Sequence, residues 1–114
     1  MSFPPPTKKE QPMYGLITKI TTKPDQRDAF AHILLDATGA MPGCLSYVVA
    51  ADPADADALW ITEIWDSAES HQASLRSPVV MAALQAGRPL VAGFGERFET
   101  RPMGGFGTPL APVG

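Results

Sequence analysis

Cysteine, basic clusters and long hydrophobic runs are all scarce in this chain, and each shortage excludes a class of protein. Cys44 is the only cysteine, so one chain can form neither an internal disulfide nor a thiolate zinc cage. Basic residues cluster only at Lys8 and Lys9, and the formal net charge is −3, which argues against a nucleic-acid partner. No window approaches the roughly 18 apolar residues that span a bilayer. We therefore expect a cytoplasmic protein with no membrane or nucleic-acid partner.

Length and composition indicate one globular domain with a short segment at each end. The chain has 114 residues, and its 45% apolar content is enough for a hydrophobic core. Residues 1–12 contain four prolines and no apolar core, which predicts an extended arm rather than a signal peptide. Residues 104–114 are rich in glycine and proline and are predicted to be a tail. The domain is then residues 13–103, small enough that a second subunit would help to wall any cavity.

Alternating apolar residues and turn signals predict the first half of the fold. Residues 13–23 alternate, as expected of a strand with one buried face. A helix is predicted to open at Pro24 and to close at Gly39, because proline suits the first helical turn and glycine suits the end. Residues 44–52 and 58–65 are predicted to be two strands that form a hairpin across the polar turn "PADAD".

Helical signals return after the hairpin. Asp-Ser at residues 66–67, followed by Glu69, resembles a capping box, so a helix should begin here and run to about Leu75. The Ser-Pro pair that opens residues 77–87 then restarts the helix, with serine as the cap and proline in the first turn.

The last predicted element is a strand at residues 93–101. Its alternation places Phe94 and Phe98 on one face, opposite Arg97 and Glu99. The order of elements is then β-α-β-β-α-β. This order predicts an α+β, ferredoxin-like domain with a four-stranded antiparallel sheet and helices on one face. The other face of the sheet needs cover, which a second copy of the chain would provide.

Two sequence stretches in this order resemble a known family. "PGCLSYVV" follows the first helix and "EIWDSAESHQASLRSP" ends the hairpin, as in the antibiotic biosynthesis monooxygenase superfamily. The resemblance covers Tyr14 to Met103 and implies a dimeric α/β barrel. Some relatives oxidise quinols or polycyclic phenols with dioxygen, without metal or flavin. The resemblance also implies that Trp65 and His71 lie at a pocket between the sheet and the helices.

The sequence argues against one branch of that superfamily, the haem-degrading relatives. Haem-degrading relatives use a tryptophan within the second helical region and an axial histidine further along it. No tryptophan occurs between Asp66 and Ala92 here, and the only histidine in that span is His71, at its start.

His71 is the first candidate for a catalytic group. A histidine in the first turns of a helix has a depressed pKa, so the neutral imidazole could accept a proton from a phenol or quinol. The alternative is a half-exposed histidine that hydrogen-bonds Glu69 or Asp66.

Glu63 is the second candidate, because its carboxylate shares a strand face with the apolar Ile61 and Trp65. Such a carboxylate is either paired or functionally tuned. It could orient or assist His71, or it could simply pair with Arg97 or Arg101.

The two tryptophans have separate expected roles. Trp65 could donate an indole hydrogen bond to a developing oxyanion, and Trp60 could form an apolar wall. Packing in the core or at a subunit interface is the alternative for both residues.

A helical roof completes the predicted pocket. Phe30 and Leu34 from the first helix, with Met81 and Leu84 from the last, would contact a substrate, although such a stripe is also ordinary core. Arg88 could stabilise an anionic substrate or could be a solvated surface residue.

Neither a metal ligand set nor a phosphate-binding loop is recognisable, so no cofactor is expected. The leading hypothesis is a cofactor-independent monooxygenase that oxidises a small phenolic or quinol substrate with dioxygen. The alternative is a non-catalytic or stress-associated homodimer that binds a small hydrophobic ligand.

Overall fold

The computed structural model describes residues 12–107. The arm at residues 1–11 and the end of the tail at 108–114 lie outside the described residues. Four strands and three helices follow one another in this order: β1 (Tyr14–Thr22), α1 (Arg27–Asp36), β2 (Cys44–Ala51), β3 (Ala58–Trp65), α2 (Ala68–Ser74), α3 (Pro78–Gly87) and β4 (Val91–Thr100). Short 3-10 turns at Thr38–Ala40 and Arg88–Leu90 follow α1 and α3.

All four strands form one antiparallel sheet in the order β2-β3-β1-β4. This is the predicted ferredoxin-like α+β arrangement, with the second helical region divided into α2 and α3. Antiparallel sheets alternate between two faces, so direct partners across strands share a face. Among the helices described within residues 12–107, none is long and apolar enough to cross a membrane.

The sheet face toward the helices holds the hydrophobic core. Ile20 on β1 pairs with Leu59 on β3, and both pack with Ile61 and with Phe30 and Leu34 of α1. Each of these five side chains is at most 8% exposed. Burying a large aliphatic or aromatic side chain contributes roughly 2 kcal/mol, so this cluster is what fixes α1 on the sheet.

The start of α1 differs from the sequence prediction. The helix begins at Arg27, not at Pro24, because Asp25 adopts a φ of +65° that no right-handed helix contains. The backbone N–H of Gln26 donates to the Lys23 carbonyl at 3.1 Å, and the residues between them form a turn. The proline therefore precedes the helix instead of occupying its first turn.

The two phenylalanines of β4 also differ from the prediction. Phe94 pairs with Ile20 on the helix-facing side, whereas Phe98 pairs with Ile17 on the opposite side. The register of β4 against β1 shifts between the partners of Thr18 and Ile20. Such a bulge changes which face the residues beyond it occupy, so uniform alternation fails here.

A glycine turn anchors the start of α2. Ser67 is the N-cap, and its hydroxyl accepts from the Ser70 backbone N–H at 3.1 Å, so the residue at the capping-box position is Ser70 rather than Glu69. The Gly43 carbonyl accepts from the Asp66 N–H at 2.8 Å. Gly43 has a φ of +87°, and a Cβ there would lie 2.7 Å from the Cβ of Ser70. This turn requires glycine for its backbone and for its closeness to α2.

Gly43→Ala is expected to lower the free energy of unfolding by about 2 kcal/mol, because it adds backbone strain and a clash with Ser70. Urea unfolding of both proteins measures the difference. Gly39→Ala is the matched control, since no heavy atom lies within 4 Å of a Cβ at that position. Equal losses in the two variants would show that neither the positive φ of Gly43 nor its closeness to α2 matters for stability.

Candidate active site

A cavity of about 590 Å³ lies between the helices and the helix-facing side of the sheet. Its wall is mainly apolar and includes Ile20, Phe30, Leu34, Ile61, Val80, Leu84, Val91 and Phe94. Its polar groups include Thr18, Tyr47, Glu63, His71, Ser74 and Arg88. This volume lies in the range of cavities that hold small organic ligands, and an apolar wall with a few polar groups is typical of them.

Six of the nine residues predicted to form the site line this cavity. They are Glu63, His71, Phe30, Leu34, Leu84 and Arg88. Their roles toward a ligand stay predictions, whereas their common location is a feature of the fold.

His71 is held between two aromatic rings at one end of the cavity. Its ring centroid lies 5.3 Å from that of Tyr14 and 5.4 Å from that of Trp65, with Trp65 edge-on. The residue is 8% exposed, and its Nδ1 is buried with no hydrogen-bond partner within residues 12–107. Neither Glu69 nor Asp66, the partners expected of a surface histidine, bonds this nitrogen.

The surroundings of His71 favour the neutral imidazole. Burial lowers the pKa of His71, the positive charge of Arg97 lowers it further, and the negative charge of Glu99 opposes both. A neutral imidazole has one nitrogen that can accept a proton. His71 therefore has the charge state of a general base.

Glu63 provides the carboxylate at the same end. The Trp65 indole Nε1–H donates to Glu63 Oε1 at 3.0 Å. Burial raises the pKa of Glu63, while this hydrogen bond and the charge of Arg97 oppose the rise. Within the described residues, Arg97 forms its ion pair with Glu99 at 3.9 Å and Glu63 forms none. The expected Glu63–arginine pair is thus replaced by a hydrogen bond from an indole.

Trp65 lies behind the cavity rather than in its wall. Its side chain is 1% exposed, and its N–H is already bonded to Glu63. In this arrangement the indole orients the carboxylate and packs on His71. The predicted donation to an oxyanion would require that hydrogen bond to break.

Trp60 and Met81 do not line the cavity. Trp60 pairs with Lys19 on the sheet face away from the helices, and its indole N–H donates to Asp52 Oδ2 at 2.8 Å. Met81 is 48% exposed, whereas its neighbour Val80 lines the cavity. Trp60 and Met81 are therefore not in the predicted cavity wall, because each lies on a face that is turned away from the cavity.

Tyr47 is a cavity residue that the sequence prediction did not include. It pairs directly with Glu63 across the hairpin, so the two side chains share a face. Burial, followed by the negative charge of Glu63, raises the pKa of the Tyr47 phenol, which keeps it neutral. Counting the register back from the "PADAD" turn would have identified it.

Arg88 lies toward the other end of the cavity. It follows α3 directly, and the next strand starts with Val91 paired to Thr22. Glu63 pairs with Leu16, six residues along β1 from Thr22, which is roughly 20 Å of strand. In the part of the chain that the structure describes, the polar groups at the His71 end therefore have no arginine of the cavity wall beside them.

Gly87 does not line the cavity, but it packs directly behind one residue of the cavity wall. A Cβ at this position would lie 2.8 Å from Cε1 of Phe30, a residue of the wall. The end of α3 therefore contacts the Phe30 ring directly.

Within residues 12–107 no group of three or more histidine, cysteine or acidic side chains could hold a metal ion.

Comparison with known proteins places this geometry in a family. Residues 13–86 match the family model described as antibiotic biosynthesis monooxygenase. A solved structure from Chloroflexus aurantiacus, provisionally named an antibiotic biosynthesis monooxygenase, is 59% identical, with a TM-score of 0.81; the match covers 83% of this chain and 97% of that chain. No match was found among curated proteins.

More distant structures share the fold alone. A Caulobacter crescentus protein with the same provisional name is 20% identical over 82% of this chain and 92% of its own, with a TM-score of 0.74. A conserved Methanosarcina mazei protein is 17% identical over 80% and 93%, with a TM-score of 0.70. With a family model that matches most of its length and a close structural relative, the chain belongs to the antibiotic biosynthesis monooxygenase family.

Proposed function

We propose that this protein is a cofactor-independent monooxygenase that oxidises a small phenolic or quinol substrate with dioxygen. The family supports a monooxygenase-like role in general. The observation that carries the finer proposal is the unpartnered, buried Nδ1 of a neutral histidine at the end of an apolar cavity. The apolar walls can pack against the aromatic ring of the substrate, and the imidazole can accept the proton of its hydroxyl group.

In the proposed reaction, His71 takes the hydroxyl proton and leaves an electron-rich aromatic anion. The anion passes one electron to dioxygen, and the resulting radical and superoxide combine through a new carbon–oxygen bond. The peroxide takes up the proton, then loses water as the same carbon loses its hydrogen, which gives a quinone. Substrate and dioxygen thus become quinone and water, and the substrate supplies all the electrons.

The cavity supports this reaction because it excludes water and orients the substrate. An apolar wall strengthens electrostatic interactions at the reacting end and holds the ring in place. The neutral Tyr47 and the Trp65-bound Glu63 provide further hydrogen-bonding groups beside His71.

A second candidate function is binding without catalysis. The predominance of apolar residues in the wall would suffice to hold a small hydrophobic ligand. This function needs no base, so it predicts that loss of His71 leaves ligand affinity nearly unchanged.

His71→Ala is expected to reduce oxygen uptake by about 100-fold or more, the usual contribution of a general base. The measurement uses purified, metal-stripped protein with a panel of hydroquinones and polycyclic phenols. His32→Ala is the matched control, since His32 is exposed on α1. Uptake that survives His71→Ala would remove His71 from the mechanism, and no uptake by the wild type would favour the binding function.

The lowered pKa of His71 predicts a pH dependence of stability. Below the ordinary value of 6.5, the unfolded histidine binds a proton that the folded one resists, so stability falls as pH falls from about 6.5 toward the lowered pKa. Glu63, whose pKa is raised, has the opposite sign: its contribution is lost as pH rises through that raised value. The contribution of His71 is isolated by subtracting the unfolding free energy of a variant that lacks this histidine from that of the wild type at each pH.

Urea unfolding of wild type and His71→Phe should therefore diverge below pH 6.5, with only the wild type losing this increment on acidification. The two proteins share all other titrating groups. Parallel curves between pH 5 and 7 would show that His71 titrates normally in the folded protein.

We also propose that a second copy of the chain covers the outer sheet face. This face carries Val48 and Phe98, which are 52% and 50% exposed, beside the half-buried Ile17, Trp60 and Ile64. An antiparallel sheet with two apolar faces requires cover on both.

Val48→Asp combined with Phe98→Asp is expected to convert a dimer into a monomer, because two copies would bring these charges together in an apolar interface. Sedimentation velocity gives the mass. Leu35→Asp, on the exposed side of α1, is the control and should remain dimeric. A wild type that is monomeric at every concentration would refute the dimer.

A further inference from the structure

The His71 end of the cavity has an excess of negative charge. Glu63 lies in the wall, and Glu99 lies behind Tyr14, whose hydroxyl donates to Glu99 Oε2 at 2.7 Å. Arg88, the one arginine that lines the cavity among residues 12–107, is near the opposite end. A substrate anion that forms beside His71 would meet repulsion from two carboxylates unless another cation acts there.

Arg97 is the cation placed to act at this end. Arg97 pairs with Thr18, a residue of the cavity wall, so its side chain projects from the helix-facing side of β4. Its Nη1 lies 3.9 Å from Glu99 Oε1, while Glu99 Oε2 accepts from Tyr14. The Tyr14 ring packs on His71. A continuous chain of contacts therefore joins Arg97 to the proposed base.

The charged and titratable groups around His71 come from four strands. Tyr14 is on β1, Tyr47 on β2, Glu63 on β3, and Arg97 and Glu99 on β4. Burial raises the pKa values of Tyr14 and Glu63 and lowers the pKa of His71. At all three groups the charge of Arg97 acts in the lowering direction, so its field reaches each of them. Such a field favours any negative charge that forms among them.

We propose that Arg97 is the electrostatic partner of the substrate anion: it stabilises a phenolate at the His71 end of the cavity, and Glu99 sets its position and offsets part of its charge. This inference rests on the proposed function for the identity of the substrate. Arg97 acts through space and need not contact the ring. Its role is to favour the phenolate over the phenol in a cavity that already holds a carboxylate.

The test measures the ionisation of a bound phenol. 4-Nitrophenol is titrated with the full-length protein across a range of pH, and its coloured phenolate reports ionisation directly. In Arg97→Gln the bound probe should ionise about one pH unit higher than in the wild type, which is about tenfold weaker phenolate binding. Affinity for the neutral phenol should change less than about twofold. Arg97→Lys should restore most of the difference.

Two further variants separate charge from structure. Glu99→Gln removes a negative charge and keeps an acceptor for Tyr14, so the bound probe should ionise at lower pH than in the wild type. Arg101→Gln removes an exposed arginine just beyond β4 and should leave the probe unchanged. A purely structural role of Arg97 would not produce shifts of opposite sign in Arg97→Gln and Glu99→Gln.

The outcomes distinguish this inference from the proposed function. A probe that binds but ionises equally in wild type, Arg97→Gln and Glu99→Gln overturns the role of Arg97. Oxygen uptake that depends on His71 would then still support the monooxygenase. Failure of the wild type to bind the probe overturns the inference and also counts against phenols as substrates.

Discussion

The hydrogen bond from the Trp65 indole to Glu63 is the interaction on which the candidate site depends. It satisfies one oxygen of a carboxyl group that the apolar cavity would otherwise make costly to hold. The same indole packs edge-on against His71, so one buried side chain fixes the positions of both chemical groups. Because Trp65 ends β3 and α2 begins three residues later, the short turn between strand and helix determines the geometry of the site.

Most of the fold could be predicted because its elements obey simple periods. The sequence pattern predicts β1, β3 and α3 within a residue or so of their bounds, and the order of elements specifies the ferredoxin-like arrangement. The two departures from the prediction have long-range causes. Asp25 adopts a left-handed backbone conformation that delays α1, and a bulge in β4 reverses the face of Phe94 relative to Phe98. Both depend on pairing with distant residues, which periodicity alone does not report.

The site was predictable only where a strand pattern defined a face. The alternation of β3 places Glu63 on the same face as Ile61 and Trp60 on the opposite face, which is why Glu63 lines the cavity and Trp60 does not. The sequence predicts Met81 rather than its neighbour Val80 for the wall, but α3 is apolar nearly all round, so its pattern gives no preferred side. Tyr47 required the hairpin register, and Arg97 required knowledge that β4 lies next to β1.

The contact between Gly87 and Phe30 separates the size of the cavity from its chemistry. Phe30 belongs to the apolar wall, and Gly87 sets how closely α3 approaches its ring, yet neither lies on the strands that carry Glu63. A larger residue at position 87 would push the Phe30 ring and reshape the cavity while leaving Glu63 and His71 in place. The volume of the cavity can therefore change at the junction of α1 and α3 without any change in the residues at its His71 end.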